Sequence, residues 1–321
     1  MSNAAVKLTI QDQPETDESG DLLSGLQKDP PQVSPKYFYD QRGSELFEAI
    51  CEQPEYYPTR TELGIMRTHV AEMAALIGPA ATVIEYGSGA SVKTRLLLDE
   101  LQRPAAYIPI DISGDFLLGV AADLTKRYPQ LEILPLCADF THPLDLPEPL
   151  GDSRRKVVYF PGSTIGNFSP AEALALLQQM RAQVGKGGAL LIGVDLVKDR
   201  DIVEPAYNDA AGVTADFNLN LLRHLNRAFG TDFDLAAFEH QAVYDDERER
   251  IEMRLVATRD QDVELDGETI QVDEGEYIVT EHSHKFSREA FAEMAVRAGF
   301  RVEQIWSDPQ DLFSVQFLAA V

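Results

Sequence analysis

The sequence predicts an α/β protein: a mostly parallel sheet flanked by helices, with an α+β unit inserted before the sheet is complete. Three observations carry this. Short apolar or β-branched runs alternate with helical repeats between residues 61 and 195. The first of these runs leads through Gly87-Ser88-Gly89 into a helix. The alternation stops after Asp195 and resumes only near Ser287.

Bulk properties agree. The chain has 321 residues, enough for one large domain or two modest ones. Its 44% hydrophobic and 25% charged residues are ordinary for a globular protein. A net charge of −25 argues against nucleic acid and anionic membrane surfaces as partners and favours a small-molecule ligand. With only two cysteines, Cys51 and Cys137, no disulfide framework is expected. No run is long and apolar enough to span a bilayer, and no signal peptide is visible. A cytoplasmic monomer is the expectation, with Met1-Ser2-Asn3-Ala4 read as a cloning remnant.

Taken in order, residues 1–34 are polar and proline-interrupted and should be mostly flexible, with a short helix starting at Leu22. Ser44 should cap a helix through Cys51. Pro54 and Pro58 bracket Tyr56 and Tyr57, which predicts a loop with exposed phenols. An amphipathic helix follows over residues 61–77. Strands are expected at 82–85, 107–111, 131–138, 156–160 and 189–195, with helices from Ser91, over 114–128 and over 170–184. Within the insert, residues 215–228 read as a helix. Residues 250–257 and 270–284 read as half-buried strands, with Asp266-Gly267 as a turn. A helix over 287–298 and strands over 301–306 and 313–320 would close the sheet.

The glycine turn offers backbone N–H groups and a helix N-terminus to a polar ligand. A phosphate-binding loop fits Gly87, Lys93 and Thr94 but puts Val92 where a glycine is required. A dinucleotide fingerprint fails at the same residue. What remains is E-x-G-x-G after a strand, the usual nucleoside corner of S-adenosylmethionine-dependent methyltransferases, or a plain strand-to-helix turn. The position of Asp111 suits ribose hydroxyls. Asp139 and Phe140 end the next strand and suit an adenine amino group and ring face. Strands that each end in a polar group are more informative than any single motif, because such sheets bind ligands at their carboxyl edge.

Collinear blocks then make the resemblance specific: KYFYDQRGSELF, PEYYPTRTE, GSGASVKTR, PGSTIGNF, DLVKD, AYNDAAGVTADFN, ERIEM and TEHSHKF. From about Pro35 to the C-terminus the chain resembles the histidine Nα-methyltransferases of ergothioneine biosynthesis, which convert L-histidine to its trimethylated betaine, hercynine. The resemblance implies a Rossmann-like seven-stranded class I methyltransferase sheet with an inserted α+β substrate domain. Residues 61–195 and 286–321 would bind S-adenosylmethionine, releasing S-adenosylhomocysteine; residues 35–60 and 196–285 would bind substrate. It implies Asn167 and Tyr39 as catalytic residues. Tyr56 and Tyr207 match a carboxylate grip, and Glu281 and Ser283 an imidazole-reading pair. Met253, Phe47, Gly162 and Thr164 match pocket positions. Gly87, Lys93, Asp111, Asp139 and Phe140 match the cofactor side.

Residue chemistry points the same way. Phenols can donate to a carboxylate without bringing another cation near a sulfonium. One acceptor and one hydroxyl satisfy the two nitrogens of an imidazole. In a strand Glu281 and Ser283 share a face, while His282 and His284 take the other. No third ligand accompanies that histidine pair, so no metal is expected. A methyltransferase acting on another amino acid and a non-catalytic binding scaffold are the alternatives. Loss of the Glu281 and Ser283 pair would have favoured the first, and loss of Asn167 or Asp111 the second.

Overall fold

The computed structural model describes residues 7–11, 17–89 and 92–321. Met1 to Ala4, read as a remnant, and Ser91, read as a helix start, lie outside the described residues. The chain opens with β1 (Thr9–Ile10), α1 (Glu18–Leu26), α2 (Gln41–Cys51) and α3 (Tyr57–Ile77). Then come β2 (Ala81–Tyr86), α4 (Val92–Glu100), β3 (Ala106–Asp111), α5 (Gly114–Arg127), β4 (Glu132–Ile133) and β5 (Leu136–Cys137). Next are β6 (Arg155–Phe160), α6 (Pro170–Val184), β7 (Ala189–Asp195), α7 (Arg200–Tyr207) and α8 (Val213–Phe229). β8 (Phe238–Asp245), β9 (Arg250–Ala257), β10 (Gln261–Leu265), β11 (Glu268–Val272) and β12 (Tyr277–His284) follow. The chain closes with α9 (Arg288–Arg297), β13 (Phe300–Ser307) and β14 (Phe313–Ala320). Two units result: Met1–Gln13 with Pro58–Val197 and Phe286–Val321, and Pro14–Tyr57 with Lys198–Lys285.

In the first unit the strand order is β1-β5-β3-β2-β6-β7-β14-β13, with β4 beside β3. The pairings among β1 to β7 are parallel, whereas β14 is antiparallel to β7 and β13. Counting β4 and β5 as one interrupted strand gives the expected seven-stranded sheet, with β1 added at its edge. Neighbouring strand residues face opposite ways. Ile84, Ile110, Val158 and Ile192 therefore pack with Leu177 and Phe291 on one side. Val83, Tyr107, Val157 and Leu191 pack with Met73 and Leu97 on the other. With both faces covered, the strands read as continuous apolar runs.

The second unit holds an antiparallel sheet, β12-β9-β8, and a separate hairpin of β10 and β11. α8 buries Phe217, Leu221, Leu222 and Leu225. The Phe217 ring stacks on Phe38 with centroids 4.4 Å apart. The β12–β9 register shifts between Val279 and Glu281, so a bulge at Thr280 precedes the face carrying Glu281 and Ser283.

Several local expectations are corrected. Within residues 1–34 a strand that was not expected appears: Thr9 and Ile10 pair with Leu136 and Cys137. Asp17 accepts from Gly20 N and caps α1, which buries Leu22 and Leu26. Asp40, not Ser44, caps α2, accepting from Gly43 N at 2.7 Å. Tyr56 and Tyr57 are buried rather than exposed. α3 begins at Tyr57, because Pro58 falls in its first turn, where a missing N–H costs nothing. The strand expected over 131–138 breaks at Leu134-Pro135, since proline cannot donate to a ladder. The strand expected over 270–284 is cut before Tyr277, with Gly275 at φ +87°. β8 and α7 were not anticipated.

Gly193 in β7 lies against a buried carboxylate. A Cβ there would collide with Glu62 Oε1 and reach 3.0 Å from Phe313 Cζ. Gly193→Ala should therefore destabilise the protein by about 1–3 kcal/mol through overpacking. An unchanged urea midpoint would contradict this placement of Glu62.

Candidate active site

In the first unit β2 runs into Gly87 at φ +69° and Gly89 at φ +42°, conformations that favour glycine. The N–H groups of Gly87 and Ser88 donate to Ile110 O at 2.9 and 3.1 Å, holding the turn against β3. Asp111, at the end of β3, accepts from Ser113 N at 3.0 Å and Gly89 N at 3.4 Å. Burial pushes its carboxyl up, opposed by those backbone donors. Phe140 approaches the turn so closely that a Cβ on Gly87 would lie 3.6 Å from its ring. Its centroid is 5.5 Å from that of Tyr86. Asp139 accepts from Thr141 N and Oγ1 at 2.9 and 2.7 Å. A carboxylate beside a glycine turn, with an aromatic face next to it, fits a nucleoside.

Below this edge lies Glu62, with 0% exposure. It accepts from Lys93 Nζ and from Gly162 N at 3.1 and 2.9 Å. Gly162 (φ +81°) and Ser163 (φ +57°) open the loop that becomes a 3-10 turn over Thr164–Asn167. Thr164 Oγ1 donates back to Pro161 O at 3.1 Å, and Ser163 Oγ accepts from Asp195 N at 2.9 Å. Asn167 thus ends a loop that is anchored at Gly162 and Ser163. Nearby Glu85 accepts from Thr94 and Tyr107, and burial pushes its carboxyl up to about 7.

The second unit gathers a different set. Tyr56 and Tyr207 have ring centroids 6.1 Å apart, and Phe47 lies 6.3 Å from Tyr56 and 6.0 Å from Tyr39. Tyr207 Oη and Ser283 Oγ are 2.8 Å apart. Lys285 Nζ donates to both, at 2.9 and 2.8 Å. Met253 is buried and is the cross-strand partner of Glu281. Burial pushes the Glu281 carboxyl up to about 7, with Lys285 pulling the other way.

A polar chain supports this face from behind. Burial holds His240 below its ordinary value, so its ring is neutral at pH 7. Asn218 Nδ2 donates to His240 Nδ1 at 2.9 Å, which leaves His240 Nε2 to donate to Tyr207 O at 2.8 Å. Asn218 Oδ1 accepts from Thr280 Oγ1 at 2.7 Å, at the bulge before Glu281. On the other face His282 pairs with Glu252 at 3.2 Å, and Glu252 is pulled down to about 2 mainly by that bond. Among the described residues no group of three or more His, Cys, Asp or Glu is placed to hold a metal.

A family model described as histidine-specific methyltransferase, SAM-dependent, matches residues 18–320. The chain belongs to this family. Histidine N-alpha-methyltransferase of Mycolicibacterium smegmatis is 43% identical over 300 residues, which is 92% of each chain. Its namesake in Mycobacterium tuberculosis is 40% identical, covering 93% of this chain and 94% of that one. Ergothioneine biosynthesis protein 1 of Neurospora crassa is 33% identical over 87% of this chain, which corresponds to 32% of that protein.

For this histidine-specific methyltransferase, the residues singled out from sequence fall into two groups. Gly87, Lys93, Asp111, Asp139, Phe140, Gly162, Thr164 and Asn167 belong to the first unit; Tyr39, Phe47, Tyr56, Tyr207, Met253, Glu281 and Ser283 belong to the second. One expectation is corrected. Tyr207 is not a phenol kept apart from cations, because Lys285 donates to it. Sequence reasoning also missed Glu62, His240 and Asn218. Glu62 and Asn218 fall within the blocks PEYYPTRTE and AYNDAAGVTADFN, the one signal that could have found them.

Removing Glu62 would leave the Lys93 ammonium and the Gly162 N–H without their buried acceptor. Glu62→Ala should lower stability by about 3–5 kcal/mol, the range for breaking a buried ion pair. Denaturant unfolding of the variant checks this, and a loss under 1 kcal/mol would contradict it.

Proposed function

We propose that this enzyme transfers three methyl groups from S-adenosylmethionine to the α-amino nitrogen of L-histidine, giving hercynine in the first step of ergothioneine biosynthesis. The observation that carries the substrate assignment is the face of the second unit. There Glu281, whose carboxyl burial pushes up to about 7, stands two residues from a hydroxyl, Ser283, beside two phenols. An imidazole with one N–H and one bare nitrogen needs that acceptor and that donor. The net charge of −25 supports a small-molecule substrate.

On the cofactor side, Asp111 would hold the ribose hydroxyls, Asp139 and Phe140 the adenine, with Gly87 and Lys93 framing the glycine corner. When bound, S-adenosylmethionine supplies an electrophilic methyl on a sulfonium. Tyr56 and Tyr207 hold the substrate carboxylate, Glu281 and Ser283 the ring, and Met253 and Phe47 the pocket wall. Asn167 accepts from the amine and aims its lone pair, with Tyr39, Gly162 and Thr164 supporting. Displacement of the methyl from the sulfonium by that lone pair would need no proton transfer from the chain. The protein's task is to position the amine and keep it neutral, with water carrying its proton away.

Variants of Asn167 and of Glu281 should fail differently. Asn167→Ala should lower kcat more than it raises KM, because it touches the reacting nitrogen. Glu281→Ala should weaken histidine about ten- to hundredfold and make tryptophan and phenylalanine relatively better substrates. Steady-state kinetics with S-adenosylmethionine decide this. Full preference for histidine in Glu281→Ala, or parental turnover by Asn167→Ala at saturation, would refute these roles.

A further inference from the structure

Lys285 follows β12 directly, and it is buried at 2% exposure. Its Nζ, Tyr207 Oη and Ser283 Oγ form a triangle with edges of 2.8–2.9 Å. The ammonium also lies 4.8 Å from the centroid of the Tyr207 ring. An ammonium has three donors and no lone pair, so both hydroxyl oxygens accept from it. With Lys285 donating to both oxygens, at least one of the two hydroxyl protons points out of the triangle, beside a positive charge, and both do so when two acceptors are offered. Such a group favours an acceptor: a carboxylate oxygen or an unprotonated ring nitrogen.

We propose that Lys285 is a positioning residue for the amino-acid substrate, fixing Tyr207 and Ser283 as donors so that one triangle serves both the carboxylate and the bare ring nitrogen. This rests on the reading of histidine as substrate. It adds that the two ends of the substrate are coupled through one buried cation. Glu281, on the same strand face as Ser283, supplies the opposite polarity. Lys285 from the end of β12 acts on that carboxylate directly, and Tyr56, just before α3, lies within the carboxylate's field. The Lys285 ammonium beside Ser283 disfavours a second positive charge on a ring held there.

The test titrates the full-length protein, saturated with S-adenosylhomocysteine, with L-histidine, histamine and L-phenylalanine. Histamine lacks the carboxylate and phenylalanine the ring nitrogens. In Lys285→Met, histidine should bind at least about tenfold more weakly, and the preferences over both analogues should shrink by similar factors. Ser283→Ala should lose preference over phenylalanine alone. In turnover, Lys285→Met should raise KM for histidine more than it lowers kcat. If Lys285→Met does not fold, as judged by circular dichroism and denaturant unfolding, Lys285→Gln carries the same test. A lysine variant that keeps either preference within twofold overturns the proposal. A parent protein that binds S-adenosylhomocysteine but not histidine overturns the substrate reading instead.

Discussion

A buried carboxylate organises the carboxyl edge of the parallel strands in the first unit. Glu62 comes from α3, yet its partners are Lys93 on α4 and the backbone of Gly162 in the loop after β6. A carboxylate without solvent is tolerable only when charge and hydrogen bonds surround it. Glu62 therefore forces three segments far apart in sequence to meet. The requirement reaches further, since β7 must carry a glycine at 193 to leave room for Oε1. The left-handed conformation of Gly162 turns its N–H toward the same carboxylate. Asn167 inherits its position from this arrangement.

The second unit solves a parallel problem with neutral groups. His240, Asn218 and Thr280 hand hydrogen bonds from the backbone of Tyr207 to the bulge in β12. Every member both satisfies and is satisfied, as buried polar networks must be. The bulge matters because side chains alternate along a strand. A shift at Thr280 sets which face Glu281 and Ser283 share.

Much of this was legible in the sequence. The alternation of strands and helices and the glycine turn after β2 were readable, since they depend on local periodicity and backbone sterics. The long blocks named the family. What escaped notice depended on distant partners. Glu62 looks like a polar residue of an amphipathic helix until α4 and the loop after β6 close over it. Lys285 looks like a solvated charge at the end of a strand. Tyr56 and Tyr57 read as exposed because flanking prolines suggest a loop, whereas Pro58 begins a helix. Thr9 and Ile10 are too short to read as a strand without Leu136 and Cys137 beside them.

The central claim is that methyl groups pass to the α-amino nitrogen while the imidazole is held and left unmodified. Carbon NMR of the product formed from L-histidine and S-adenosylmethionine labelled with 13C in the methyl tests it most directly. The account predicts label in equivalent methyls on the α-nitrogen, three at completion, with both ring nitrogens unmethylated. Label on a ring nitrogen would contradict it.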